Sequence, residues 1–398
     1  MSELREKIWH LIEKHQYVIF IVIITLLSLV IRINLFSYES GDYQMFLSPW
    51  FEELKENGGL KALNIEIGNY NAPYMTIMAL LTYLPISPLI SIKIVSVIFD
   101  YVCAIMVAKI ALYLLKDSEN KKRIALVLYS ATVFLPTVFL NSACWAQSDS
   151  IYTAFILISL LYLMKKKFGR AFIFLGIAFS FKLQFIFILP LYILLYISER
   201  KFSVLNFLWI IVVGVIMCIP SLIFGNSLWN CIKVYIGQTG TYSDYITLNF
   251  PNFYGIFWGI DNNHLILTPS DLLNTIGIVF TIAIFVVLAF LVLERKIKFT
   301  PRAIIEFGIW SVLICTFFLP CMHERYLFLA DILGILYLIY NKKKYYIPLG
   351  IELISLYGYL YYLFNGYTLE MKYISMGYLI LMVLYSKDML QRYFISHD

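Results

Sequence analysis

Charge is what this chain has least of. Only 14% of its 398 residues are Asp, Glu, Lys or Arg, against about a quarter in an ordinary soluble domain. With 61% hydrophobic residues and a mean hydropathy of +0.79, the composition excludes that class. The six cysteines, Cys103, Cys144, Cys218, Cys231, Cys315 and Cys321, form no C-x-x-C pair. They read as packing residues, with no disulfide framework or zinc site. No H-E-x-x-H, Walker or dinucleotide-binding pattern occurs, so no nucleotide site is expected. The net charge of +6 tracks lysines between apolar runs, and no nucleic-acid partner is expected. No internal repeat is evident, which argues against an inverted-repeat transporter. No cleavable leader is expected, because the first run, Tyr17 to Phe36, is too long and lacks a small-residue cleavage pattern.

What is present is a succession of apolar runs, near 17–36, 73–91, 92–115, 124–140, 151–164, 171–197, 204–224, 275–293, 303–320, 326–340, 345–364 and 373–386. Runs of this length mark an all-α, polytopic membrane protein. Basic residues cluster at 116–123, 165–170, 200–201, 295–302 and 342–344, and in the N-terminal segment. Cytoplasmic loops hold such clusters. All six face the cytoplasm if 73–91, with Pro73, Pro85 and Pro88, does not cross. The run 171–197 must then be a hairpin of two short helices turning near Lys182-Leu183-Gln184. The expected count is about twelve membrane helices with both termini inside. The polar outer segments are then 37–72, 141–150, 225–274, 321–325 and 365–372. Tyr242, Phe250, Pro251, Asn252, Phe253, Tyr254 and Trp258 predict that the long segment 225–274 is folded. Two modules are expected: 1–200, with an outer loop over 37–91, and 201–398, with the outer loop 225–274.

Four constellations could carry chemistry. Asp42, in Gly41-Asp42-Tyr43, is either a general base at the membrane surface or an N-cap for the helix that follows. In Met322-His323-Glu324-Arg325-Tyr326, His323 and Arg325 can clamp a phosphate, or Arg325 snorkels beside an aromatic belt. Lys182 and Gln184 sit in a long apolar stretch, where a lysine must reach water or an anion. Gln147 and Asp149, in Trp145-Ala146-Gln147-Ser148-Asp149-Ser150, can bind hydroxyls, or Asp149 caps the helix starting at Ile151. Lys93, Asp100, Lys109, Asp331 and Glu352 are intramembrane charges. Lys93 and Asp100, seven apart, share a helix face and can pair or line a cavity.

In their order these pieces resemble the GT-C glycosyltransferases, polytopic enzymes that use polyprenyl-phosphate-linked sugars. The likeness is closest to bacterial proteins related to GPI mannosyltransferases and to asparagine-linked-glycan glucosyltransferases. It rests on Gly41-Asp42-Tyr43, Tyr70-Asn71-Ala72-Pro73-Tyr74, Trp145–Ser150, Phe181-Lys182-Leu183-Gln184 with Leu189-Pro190, and His323-Glu324-Arg325. It departs at Asn71-Ala72-Pro73, which has one proline where the family has a Tyr-Pro-Pro-like element. The resemblance implies a GT-C fold with surface-lying helices in the first outer loop, and Asp42 as catalytic base. His323, Arg325 and Lys182 become donor phosphate ligands, and Tyr43, Tyr70, Gln147, Asp149, Gln184 and Glu324 substrate-binding candidates. It implies a polyprenyl-phosphate sugar donor, a glycan or lipid-linked acceptor, lipid contacts and no cofactor. An obligate metal is not expected, although Asp42 and Asp149 leave a divalent ion open. The implied location is a bacterial plasma membrane, with the site at the outer face. A transporter or flippase for lipid-linked sugars, and an inactive partner in glycan assembly, are the alternative classes.

Overall fold

The computed structural model describes residues 2–240, 244–257, 264–266, 271–364 and 369–395. Tyr242 and Trp258, and parts of the segments 225–274 and 365–372, lie outside them. The described chain is helical and membrane-type. Six segments are long and apolar enough to cross a bilayer: Ile12–Leu35, Pro88–Leu114, Val204–Ile223, Leu272–Glu294, Pro301–Phe318 and Lys342–Phe364. A seventh forms if Lys121–Val133 and Pro136–Cys144, bent by 50°, count as one. The bend has a local cause. Pro136 excludes the helical conformation at the residue before it, and Leu135 is accordingly extended (φ −62°, ψ 123°).

Run 373–386 forms the 20-residue helix Met371–Leu390, and other apolar runs make shorter helices of 10–17 residues, among them Ala72–Leu81, Asp149–Met164, Phe168–Phe181 and Phe328–Tyr337. At 1.5 Å per residue these reach ~15–26 Å, less than the ~30 Å of hydrocarbon. Length and composition therefore mark six or seven spans, and the sequence-based count of about twelve goes beyond them. The run 171–197 does break at its expected turn: Phe168–Phe181 ends, Lys182 is extended, and a tight turn over Leu183–Ile188 leads into Leu189–Glu199.

Two kinds of helix emerge. The first, Ser2–Leu35, has only 11% of its apolar window buried, whereas Pro301–Phe318 has 83%. A helix apolar all round belongs in a core, and Pro301–Phe318, Asp149–Met164 and Phe328–Tyr337 form that core. It is continuous from Cys103 to Phe394, so the modules 1–200 and 201–398 share one interior. A second cluster gathers under the loop after the first helix. Phe51 and Leu54 of Ser48–Glu56 are buried there with Leu63, Met75 and Met78. At about 1.5–3 kcal/mol for each large side chain, this cluster holds the loop as a folded layer.

Strand is scarce but well placed. Tyr245–Leu248 pairs antiparallel with His264–Ile266 and parallel with Met322–His323, in the order His264–Ile266, Tyr245–Leu248, Met322–His323. An all-helical expectation misses this. The β-branched Ile246 and Thr247 favour the strand, and Leu248 then sits in register with His323.

The intramembrane charges also differ from expectation, because Lys93 and Asp100 do not pair. Asp100 binds Arg32 through two hydrogen bonds of 3.1 and 3.0 Å and accepts from Ser142 Oγ at 2.5 Å. Lys93 Nζ donates to the carbonyls of Leu35, Phe36 and Tyr38. Glu352 accepts from the backbone N and hydroxyl of Thr137, and Asp331 from Ser355. Lys109 is exposed.

Candidate active site

The last carbonyls of a helix lack intrahelical partners, and Lys93 supplies them at the end of the first helix. That contact fixes where the chain leaves the helix. Ser40 then donates to the Trp145 carbonyl at 2.9 Å and accepts from Tyr43 N at 3.2 Å. Gly41 follows, where a Cβ would stand 3.2 Å from the Tyr362 hydroxyl. A side chain here would crowd the tyrosine that holds the next residue.

Asp42 is helical (φ −62°, ψ −36°) and makes no side-chain cap. Its carboxylate turns inward and meets four donors. Oδ2 accepts from Trp145 Nε1 at 2.9 Å, Gln147 Nε2 at 2.8 Å and an Arg325 terminal nitrogen at 3.4 Å. Oδ1 accepts from the Tyr362 hydroxyl at 2.6 Å. Trp145 is stacked on Tyr362, with ring centroids 4.4 Å apart, and the Arg325 guanidinium lies 5.3 Å from the Trp145 ring.

Asp149 opens the helix Asp149–Met164, yet its carboxylate is not a cap either. Oδ1 accepts from Lys182 Nζ at 2.6 Å and Oδ2 from Asn141 Nδ2 at 2.9 Å, with Arg325 Nε 3.6 Å away. Arg325 therefore spans both carboxylates. Burial works against its charge, but Asp42 and Asp149 outweigh it and hold the guanidinium above its usual range. Burial pulls Lys182 down to about 8, against the opposing pull of Asp149. Burial also raises the Tyr70 phenol well above its ordinary value.

These groups surround a cavity of about 130 Å³. Asp42, Tyr70, Gln147, Lys182, Gln184, His323 and Arg325 all line it, with Trp50, Asn69, Gln238 and Tyr326. Side chains from six separated segments thus meet at one place. No protein-family model matches the chain, and no curated protein matches it. The functional reading therefore stands on this geometry and on the motif order.

Three of the expected site residues sit elsewhere. Tyr43 is buried in the cluster under the loop. Glu324 accepts from Asn249 Nδ2 at 2.9 Å and lies 3.6 Å from His323 Nδ1, behind the cavity wall. Asp149 is fully buried beneath the cavity and acts through Lys182 and Arg325. Arg325 also occupies the space between Asp42 and Asp149 where a divalent ion would go. Among the described residues, no group of three or more His, Cys, Asp or Glu could hold a metal.

The aromatic wall is built from the loop. Trp50 and Tyr70 meet edge to face at 5.4 Å, as do Tyr70 and Tyr74 at 5.0 Å. Gly68, at φ +64°, lets the chain pass beneath Trp50, where a Cβ would come within 2.5 Å of the indole. The Tyr70 hydroxyl donates to Gln147 Oε1 at 3.1 Å, which orients the Gln147 amide towards Asp42. Gln184 Oε1 is buried on the cavity with no hydrogen-bond partner among the described residues, an acceptor ready for a ligand hydroxyl.

Sequence reasoning missed Tyr362, Asn141 and Gln238, and gave Trp50, in the aromatic loop Pro49-Trp50-Phe51, no role of its own. Nothing marks Tyr362 in the sequence, since Tyr357, Tyr359 and Tyr361 precede it in one aromatic helix. Trp145 was in view as part of its motif, but its role as a donor to Asp42 was not.

Proposed function

We propose that the protein is a membrane glycosyltransferase of GT-C type. It transfers a monosaccharide from a polyprenyl-phosphate donor to a cell-surface glycan or lipid-linked acceptor, with inversion. The observation that carries this reading is the pairing of one reachable carboxylate, Asp42, with three cationic or protonatable groups, Lys182, His323 and Arg325, on a single cavity.

Lone-pair counting selects the base. Asp42 Oδ2 already accepts three hydrogen bonds, whereas Oδ1 accepts one, from Tyr362. Oδ1 keeps the capacity to receive the proton of an acceptor hydroxyl. In a single displacement the oxygen of the acceptor hydroxyl bonds to the anomeric carbon, and the bond from that carbon to the phosphate oxygen breaks. The proton goes to Oδ1, and the bonding electrons leave with the prenyl phosphate. Arg325, Lys182 and His323 stabilise the charge on the leaving phosphate, an effect worth several kcal/mol where water is sparse. The pyranose is held by Gln147 and Gln184 and stacks on Trp50 and Tyr70.

A second cavity of about 250 Å³ adjoins the first. Leu54–Met75 and Ser221–Gln238 supply its lining, including Glu66, Asn226, Asn230 and Lys233. The two cavities share Asn69, Tyr70 and Gln238. Joined to the first cavity through these residues, it is the acceptor's place in this reading. The reading counts short apolar helices with the long ones, for about twelve membrane segments, and treats Ser48–Glu56 and Ala72–Leu81 as surface-lying. It puts the site at the outer face of a plasma membrane. This is supported by Asp149 and the cluster Lys165–Arg170, which stand at opposite ends of one helix, and by Lys342–Lys344, just before the helix Tyr346–Phe364, and Tyr362 in its last turn.

The test is incubation of the reconstituted protein with a radiolabelled polyprenyl-phosphate sugar and a membrane glycan fraction. Label should move from lipid to acceptor. Label that crosses the bilayer while staying on its lipid would replace this reading with that of a flippase.

A further inference from the structure

Two cysteines that are separate in sequence are neighbours in space. Cys218 lies near the end of the segment Val204–Ile223 and Cys231 within the helix Leu228–Gly240. Both are buried and pack together with Ala72, Leu222 and Leu228. Both are free thiols. The helix Leu228–Gly240 is otherwise held by a few polar contacts. Asn226 just before it donates to the Leu63 carbonyl at 2.8 Å, and Tyr235 to the Ser180 carbonyl at 2.9 Å. Gln238 donates to Asn69 O at 2.6 Å and Asn71 Oδ1 at 3.0 Å. Its other face is open, with Trp229 63% and Ile236 59% exposed.

We propose that Cys218 and Cys231 form a reversible disulfide that clamps the helix Leu228–Gly240 onto the end of the membrane segment and fixes the wall between the two cavities. Three features carry this. The two side chains are buried in one small packed cluster, next to each other across the helix–segment junction. Cys231 lines the larger cavity, which gives a small oxidant a route to a buried sulfur. And the helix it would pin carries Gln238, which borders both cavities. Cys231 lines the cavity and Cys218 does not, so Cys231 meets the oxidant first and is the attacking thiolate.

The oxidant is a low-molecular-weight disulfide. The Cys231 thiolate attacks one of its sulfurs and expels one thiolate, leaving a mixed disulfide. Cys218, losing its proton, attacks the Cys231 sulfur and expels the second thiolate. Two protein thiols are oxidised to one disulfide, and one small disulfide is reduced to two thiols.

The experiment treats the full chain, in membranes, with oxidised glutathione, then denatures it and alkylates all free thiols before peptide mass analysis. The expected result is one linked peptide pair containing Cys218 and Cys231, two hydrogens lighter than the two thiol peptides. Alkylation should be lost at those two sites and retained at the other four cysteines. Cleavage after the exposed Lys233 by trypsin should slow on oxidation and recover with a reductant. Complete alkylation of both thiols would overturn the proposal. So would a glutathione adduct on Cys231 that never resolves onto Cys218. Cys231→Ser serves as the unlinked control for the cleavage rate.

Discussion

The helix Pro301–Phe318 has a carboxylate–arginine cluster at each end, and the two clusters differ in a telling way. Near its start, Glu306 accepts from Arg302 Nε at 3.1 Å, Asn341 Nδ2 at 2.7 Å and the Tyr393 hydroxyl at 2.6 Å, and it also binds Arg392. Asn341 Oδ1 takes further bonds from both arginines. All of these donors converge on one buried carboxylate and one amide, which ties the C-terminal segment to the core. Just past the other end, Arg325 spans two carboxylates, and Lys182, His323 and Gln184 face a cavity. The residue types are alike. What separates them is placement: one cluster is closed among its own members, and the other borders a cavity. A buried ion pair alone is weak evidence of purpose; a cavity beside it says more.

That contrast can be broken at several points. Asp42→Asn should leave the fold intact and cut sugar transfer by ~10³-fold, the scale of a lost general base; near-normal turnover in a transfer assay would remove Asp42 from the mechanism. Glu306→Gln should do the reverse. It leaves two arginines on a neutral amide, at a cost of about 3 kcal/mol, so thermal melting should drop while activity per folded molecule holds. Arg325→Lys keeps a charge but cannot reach both carboxylates and a phosphate, and should lower kcat/KM by ~10-fold or more. An unchanged kcat/KM would reduce Arg325 to a tie between helices.

The pH dependence sharpens the comparison further. With Lys182 at about 8, donor binding should weaken as pH rises through that value and the cation is lost. An unfolded lysine titrates near 10.4, so between those values the unfolded chain holds the extra proton. Stability from this group therefore rises with pH over the same window, and the loss of activity is not unfolding. Lys182→Arg should move the alkaline limb out of range, as read in a pH profile of apparent donor affinity. The smallest effect belongs to Gln238→Ala, which removes two hydrogen bonds of about 1 kcal/mol each. It should raise the apparent KM for acceptor less than ~10-fold and leave kcat alone.

Much of the site was legible because chemistry-bearing residues stand out against an apolar chain. Asp42, Lys182, Gln184, His323 and Arg325 drew attention as polar groups in costly places, and all five line one cavity. The cap readings of Asp42 and Asp149 fail because each carboxylate found stronger donors far away in sequence. Such partners are invisible locally: Tyr362 is one tyrosine of many, and Asn141 is one amide at the edge of an apolar run. Beyond the six or seven long segments, the count of about twelve rests on hydropathy alone. Hydropathy measures what a segment avoids, and a ten-residue core helix such as Phe328–Tyr337 avoids water as fully as a spanning one. The strand Met322–His323 depends on Tyr245–Leu248, whose pairing no short window reveals.

Lys93 has a mechanical consequence. The first helix is mostly bare along its length, yet its end is gripped by the Lys93 ammonium and, one turn earlier, by Arg32 on Asp100. Thr25 and Ser28 of the same helix bond Tyr129 and Tyr101, so the whole second half is anchored, and Asp42 inherits its place from that anchor rather than from a free loop.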